Sequence, residues 1–259
     1  MINIDKIMKC ENKYIECFSK ATEQQDFIRY RDDLIPDMYY HNYTMVRSIK
    51  DDSALIRLIE SEIAYSKNTG KDFCLIRCHI PVNDSIPALL SHKPEEVSKA
   101  GHYVFDISAL PKLDNGMEYS ILKVDKPEML EDLLWLDLQQ DEESLGRDFC
   151  TRRVYRRKDI YLSDEGMNAY ICYENGEIIG TCNMFIYEDT AKIEDFCVTS
   201  QKQRKGYGTA ILKTLIKIAL EKNVTVIYLE TDENDTAKEM YKKRGFYKVG
   251  ELTDLLFKI

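Results

Sequence analysis

The chain has no uninterrupted apolar run approaching the roughly 20 residues that cross a bilayer, which excludes a helical membrane span on sequence grounds. Its opening stretch, Met1 to Tyr14, lacks the apolar core and small-residue cleavage site of a signal peptide. The expectation is a cytoplasmic protein. None of the eight cysteines makes a C-x-x-C pair. Cys74 and Cys78 are four apart in an apolar, strand-like run, which is poor zinc geometry without a second pair. Free, mostly buried thiols and no metal are therefore expected. Basic residues are in deficit, 36 Lys and Arg against 45 Asp and Glu for a net charge of −9, which argues against a general nucleic-acid binder. Histidine occurs only at 41, 79, 92 and 102. Any histidine base would have to come from the N-terminal half or from another subunit. No internal repeat or low-complexity segment is visible in the letters.

What is present is the composition of an ordinary globular chain, 44% hydrophobic and 31% charged over 259 residues, long enough for two modest domains. Ala109 to Gly116, A-L-P-K-L-D-N-G, is punctuated by Pro111 and by Asn115-Gly116. That stretch separates an N-terminal α/β domain over 1–110 from a C-terminal domain over 117–259. In the C-terminal part, periodicity predicts a strand over 117–124, a helix over 127–140 with Leu130, Leu133, Leu134 and Leu138 on its apolar face, and strands over 168–173, 177–187 and 191–199. Glu174-Asn175-Gly176 signals a hairpin. A helix over 208–222, a buried strand over 225–230, a helix over 236–243 ending at Gly245 and two short strands complete the pattern. The fold class is α/β, a mixed central sheet flanked by helices, with a second and smaller α/β domain before it. In that N-terminal domain a helix over 52–66 and strands over 73–80 and 102–107 are expected.

The run from Gln203 to Thr209, Q-R-K-G-Y-G-T, lies between a predicted strand and a predicted helix. A helix start leaves backbone N–H groups unpaired and carries partial positive charge. Gly206 and Gly208 remove the Cβ atoms that would keep an anion away from that backbone, and Arg204 and Lys205 add full charges. A pyrophosphate is a fitting ligand. A Walker loop would need its lysine after the glycine, and a dinucleotide fingerprint would need glycine where Ile211 stands. A solvated basic turn is the plain structural alternative.

Downstream, Asn234, Ala237, Tyr241, Gly245 and Phe246 complete N-x-x-A-x-x-x-Y-x-x-x-G-F. With Gln203, Gly206 and Gly208 matching [QR]-x-x-G-x-[GA], the C-terminal half, about 117–259, resembles the GNAT superfamily of N-acetyltransferases. The resemblance implies acetyl-CoA as co-substrate, bound where two parallel strands splay. The backbone of Cys197, Val198 and Thr199 would meet the pantetheine arm. Gln203, Arg204, Lys205, Gly206, Tyr207, Gly208 and Thr209 would hold the pyrophosphate, with Asn234 and Ala237 close by. Tyr241 would protonate the departing thiolate. The N-terminal half shows no such motif and is expected to be a degenerate GNAT-like module.

A thiol of pKa about 8.5 leaves more readily beside a phenol; Tyr241 could equally be a packing residue. Glu194 is the candidate general base. An ordinary carboxyl near 4.3 is a weak base at neutral pH, so that role requires burial or a water relay. Its alternative is an exposed carboxylate or a partner for Lys192. Cys197 reads as structural rather than as an acyl carrier. Arg147, Arg152, Arg153, Arg156, Arg157 and Lys158 form a basic cluster that could receive an acceptor's carboxylate or phosphate, or simply balance Asp141, Glu142 and Glu143. The expected activity is acetyl transfer to a primary amine on a small molecule or peptide, with neither nucleic acid nor membrane as partner. The rival is a non-catalytic acyl-CoA sensor on the same scaffold.

Overall fold

The structure is a computed structural model describing residues 4–113, 119–163 and 166–259. In chain order its elements are α1 (Ile4–Glu16), β1 (Lys20–Glu23), β2 (Phe27–Arg31), β3 (Tyr43–Val46), α2 (Asp52–Asn68), β4 (Phe73–Cys78), α3 (Ile86–Leu89) and β5 (Glu96–Phe105). There follow β6 (Ser120–Lys123), α4 (Met129–Leu145), α5 (Arg147–Arg156), α6 (Lys158–Tyr161), β7 (Met167–Glu174), β8 (Glu177–Tyr187) and β9 (Thr190–Val198). The chain ends with α7 (Tyr207–Glu221), β10 (Val226–Asp232), α8 (Ala237–Lys243) and β11 (Phe246–Lys258). Among the described residues no helix is long and apolar enough to cross a membrane.

Two compact units share the chain. The first comprises residues 1–14, 103–230 and 239–249, and the second 15–102, 231–238 and 250–259. A single cut in the sequence therefore does not separate them. Of the stretch 109–116, chosen for its turn residues, Ala109 to Leu113 fall inside the first unit, and 114–118 lie outside the described residues. Local turn chemistry marks where the chain bends, whereas a unit is defined by which elements bury one another.

In the first unit the strand order is β6-β7-β8-β9-β10. The pairs are antiparallel up to β9, and β9 and β10 are parallel. The parallel pair requires a crossover, which α7 supplies. Asn175 and Gly176 both take positive φ, 51° and 83°, as a two-residue hairpin turn between β7 and β8 demands. Of the face that periodicity predicts for α7, Ala210, Ile211, Leu215 and Ala219 are buried and Ile218 is half-buried, and Leu212 and Ile216 are buried besides. Val226 to Leu229 of β10 are buried side by side, the pattern of a strand covered on both faces.

The second unit orders its strands β1-β2-β3-β4-β11. Here β3 and β4 are parallel and joined by α2, whose N-cap Asp51 accepts a hydrogen bond from the Ala54 N–H at 2.8 Å. Cys74 and Cys78 lie in its apolar core with Leu55, Ile59, Ile76 and Leu255. Met38, His41, Asn42 and Tyr43 are buried, and His41 Nδ1 lies 3.0 Å from Asp32 Oδ2.

Two expectations change. The two short strands at the C-terminus are one strand of 13 residues, because Gly250 stays out of the left-handed region and the extended backbone continues through it. Strand β5 begins at Glu96, six residues before the expected start at His102.

Candidate active site

The β9–β10 ladder runs from Val226 opposite Thr190 to Leu229 opposite Ile193 and ends there, while β9 continues to Val198. Beyond Ile193 the β10-facing edge of β9 parts from its neighbour. On the other edge, Asn183 pairs with Glu194 but Thr181 pairs with Cys197, so β9 carries one extra residue. That is a β-bulge, a device that bends a strand and re-aims its side chains. Asp195 sits in it with φ of 48°. Gly180 on β8 makes the bulge sterically possible, since a Cβ there would lie 2.2 Å from the Cys197 carbonyl oxygen.

The chain leaves β9 through a short 3-10 turn over Ser200–Lys202 and enters α7 by way of two left-handed residues, Arg204 at φ 58° and Gly206 at φ 97°. Such a turn aims successive backbone N–H groups into one concavity. Gln203 Nε2 donates to the Val198 carbonyl at 3.1 Å and ties the turn to the strand end. Arg204 and Lys205 are exposed. At Gly208 a Cβ would stand 3.3 Å from the Phe196 ring, a tight contact that a small ring shift would have to relieve. Tyr207 points away from the turn: its ring is buried and its hydroxyl donates to the Glu174 carboxylate. Thr209 is also buried. A cleft of about 500 Å³ lies beside the turn, lined by Trp135 and Gln139 of α4, Glu177 and Ile178 of β8, and the stretch from Cys197 to Gln203.

Glu194 stands at the point where the two strands part. Its side chain is 29% exposed, yet its carboxylate is crowded by other charges. Lys192 Nζ, on the same face of β9, lies 2.8 Å from Glu194 Oε2 and 2.8 Å from Glu11 Oε2 on α1. The Lys192 side chain is 4% exposed and that of Glu11 7%. The Tyr228 hydroxyl donates to Glu11 Oε1 at 2.8 Å, and the Tyr14 ring covers the ammonium at 4.2 Å. Burial pushes the Glu194 carboxyl up, Lys192 opposes, and Asp195 and Glu11 reinforce, so that it titrates at about 7. The adjacent Asp195 goes the other way. Burial alone would raise it, but the Arg157 guanidinium, bonded to its carboxylate, holds it below the usual range. Asn183 Nδ2 also donates to Asp195, at 2.7 Å. Two neighbouring carboxyls thus have their pKa values driven apart, an arrangement that separates a proton acceptor from a fixed anion.

Tyr241 belongs to the first unit, 8% exposed, with its ring centroid 6.3 Å from Phe196 and 5.7 Å from Phe246. Asn234 and Ala237 belong to the second unit, where the Asn234 N–H donates to Asp232 and the Ala237 N–H to Asp235. Cys197 is half-buried, and burial pushes its thiol up to about 11. A thiolate is therefore scarce at neutral pH. Most of the arginine cluster is engaged with this chain's own carboxylates. Arg147 pairs with Glu142, Arg152 with Asp148, Arg153 with Asp137 and Asp141, and Arg157 with Asp195.

Sequence reasoning passed over Glu11, Arg157 as the partner of Asp195, and Gly180. Glu11 is 183 positions from Glu194 and sits in a segment without a motif. The only local signal was the buried-strand pattern around Lys192, where a charge flanked by apolar residues calls for a partner.

The acetyltransferase (GNAT) family model matches residues 128–246. Over 93% of both chains, the protein is 25% identical to an uncharacterized N-acetyltransferase, CgeE, of Bacillus subtilis. It is 32% identical over 38% of its length to streptothricin acetyltransferase A of the same organism, covering 57% of that protein. In fold it is similar to a functionally unknown conserved protein from Staphylococcus epidermidis, with a TM-score of 0.78, 19% identity and 93% and 94% of the two chains covered. A GCN5-related N-acetyltransferase from Kribbella flavida gives a TM-score of 0.72 at 11% identity, covering 98% and 94%. Residues 128–246, which carry the parting of β9 and β10 and the glycine turn at the start of α7, are thus similar to the acetyltransferase (GNAT) family.

Proposed function

We propose that the protein transfers an acetyl group from acetyl-CoA to a primary amine by direct attack in a ternary complex. The observation that carries this reading is Glu194, held at the parting of β9 and β10 and poised at about 7 by its surroundings. A general base works best when its pKa lies near the working pH. The residues fit the co-substrate. The turn over 203–208 offers inward backbone N–H groups, two left-handed residues and the exposed cations Arg204 and Lys205 for a pyrophosphate. Beyond the end of the β9–β10 ladder, the backbone of Cys197 and Val198 would meet an extended pantetheine, whereas the Thr199 N–H is already given to the Ile179 carbonyl at 2.8 Å. The thioester supplies the activated acyl carbon.

Glu194 would take the proton that frees the amine lone pair. The amine nitrogen then bonds to the acyl carbon, the carbon–sulfur bond breaks, Tyr241 would give its phenolic proton to the leaving sulfur, and the excess proton on the new amide nitrogen would return to the Tyr241 phenolate. Holding both reactants together contributes much of the acceleration.

We further propose that the second unit is a degenerate GNAT-like module. Its three antiparallel strands β1, β2 and β3, followed by the parallel β3–α2–β4 crossover, repeat the order β7, β8, β9 and β9–α7–β10 of the first unit. Where α7 opens with glycines after Arg204 and Lys205, α2 opens with Asp51 and Asp52. Two carboxylates repel a pyrophosphate.

Calorimetric titration of acetyl-CoA tests the coenzyme site, using wild type, Gly206→Glu and the exposed Lys205→Glu. Micromolar binding weakened in both folded variants supports the site and leads to an amine-library screen. No binding by folded wild type overturns it.

A further inference from the structure

The buried charges around Glu194 include one residue that lies far outside the family-matched segment. Glu11 comes from α1 and meets the same ammonium that holds Glu194, both at 2.8 Å. An ammonium has three donors. Here two of them serve two carboxylates, while the Tyr14 ring lies 4.2 Å from the nitrogen. Tyr228 fixes the far oxygen of Glu11. Among the described residues of the first unit, the groups facing this cluster include Cys10, Glu11 and Tyr14 from α1, Cys182 from β8, Lys192 and Asp195 from β9, Tyr228 and Glu230 from β10, and Arg157 between α5 and α6. A lysine serving Glu194 alone would hold that carboxylate firmly ionised. A lysine shared with a second, buried carboxylate holds it less firmly, because part of its field is already neutralised.

Resting on the reading of Glu194 as general base, we propose that Glu11 and Lys192 are positioning residues for it. Lys192 orients the Glu194 carboxylate at the end of the β9–β10 ladder, and Glu11 divides the charge of that ammonium between two partners. Burial is the largest influence raising the Glu194 carboxyl, Lys192 opposes it, and Asp195 and Glu11 add to it, in agreement with the geometry.

The test follows the Glu194 carboxyl carbon by NMR across pH in protein labelled at glutamate, the signal being assigned by its loss in Glu194→Gln. Glu11→Gln keeps one acceptor oxygen, for Lys192, presents its amide N–H to the Tyr228 hydroxyl, which can accept it, and removes the charge; it should lower the midpoint by about half a unit or more. Glu11→Asp retains the charge and should stay nearer to wild type than Glu11→Gln does. Lys192→Met removes the cation and should raise the midpoint by about one unit or more, so the opposite sign provides an independent arm if Glu11→Gln does not fold. A folded Glu11→Gln with an unmoved midpoint, or a folded Lys192→Met that moves it down, overturns the proposal. The rising limb of kcat/KM is measured on the same variants. A midpoint that moves while kcat/KM shows no matching ionisation upholds the coupling and rejects Glu194 as the base.

Discussion

At the scale of single residues, Glu194 links three quantities. Its folded carboxyl titrates at about 7 against an ordinary value of 4.5. Between those values the unfolded chain releases a proton that the native chain keeps, so this group makes stability fall as pH rises from about 4.5 to about 7. Glu194→Gln should remove that fall, and thermal melts should therefore show a larger gain in Tm over wild type at pH 8 than at pH 5. In activity the sign is opposite, since the ionised carboxylate is the base. Wild-type kcat/KM should rise through about pH 7, and Glu194→Gln should lower it roughly 10²- to 10⁴-fold with acetyl-CoA affinity retained in calorimetry. Glutamate at 194 was visible as a candidate from its place on the strand before the glycine turn. Its pKa was not, because the groups that set it are Lys192 two residues away, Asp195 in a bulge and Glu11 on a distant helix. The arginines show the same limit. Charge counting found the cluster, and only the packing of α4 against α5 showed that Arg153 is held by Asp137 and Asp141. Arg152→Ala is expected to leave acceptor KM unchanged, because Arg152 lies in an i,i+4 pair with Asp148. A tenfold rise in KM would assign that arginine to the acceptor.

At the scale of elements, the bulge in β9 and the turn into α7 decide where backbone groups are available. The helix α7 and its apolar face were readable from periodicity, and the hairpin at Asn175-Gly176 from its turn residues, since both depend on neighbours within a few positions. The bulge was not readable. It is a mismatch of register between β8 and β9, and register depends on both strands together. Gly180 is its sequence trace. Gly180→Ala would place a methyl group against the Cys197 carbonyl, which should cost about 1–3 kcal/mol. For a chain of this length that is a Tm lower by roughly 2–4 °C per kcal/mol. Loss of coenzyme binding in step would show that the strand end and the turn are set together. An unchanged Tm would show that the bulge relaxes freely.

At the scale of the whole molecule, α1 is the decisive element. It lies in the stretch 1–110 that the sequence assigns to an N-terminal domain; by its contacts, Ile4 to Tyr14 belong to the first unit. Ile7 and Cys10 are fully buried, Lys6 pairs with Asp189 at 2.6 Å, and Glu11 meets Lys192. Deleting residues 1–16 should leave Lys192 short of one partner and strip an apolar face. A loss of at least about 3 kcal/mol is expected from the disrupted buried pair alone, read as a lower Tm or as insoluble protein. A shortened chain that melts like wild type would show that the unit is complete without α1.

The sequence by itself determined α4, α7, α8 and the strands β7 to β10, the glycine turn that opens α7 and the GNAT resemblance, because periodicity, capping and turn chemistry act over a few residues. Tertiary structure alone decided that the helix at the start of the chain completes the unit holding Glu194, that the two units interleave along the chain, and that one lysine serves two carboxylates. These are contacts between residues up to 217 positions apart. They arise from which faces bury one another and which buried charges must then find partners, and a one-dimensional pattern does not carry that information.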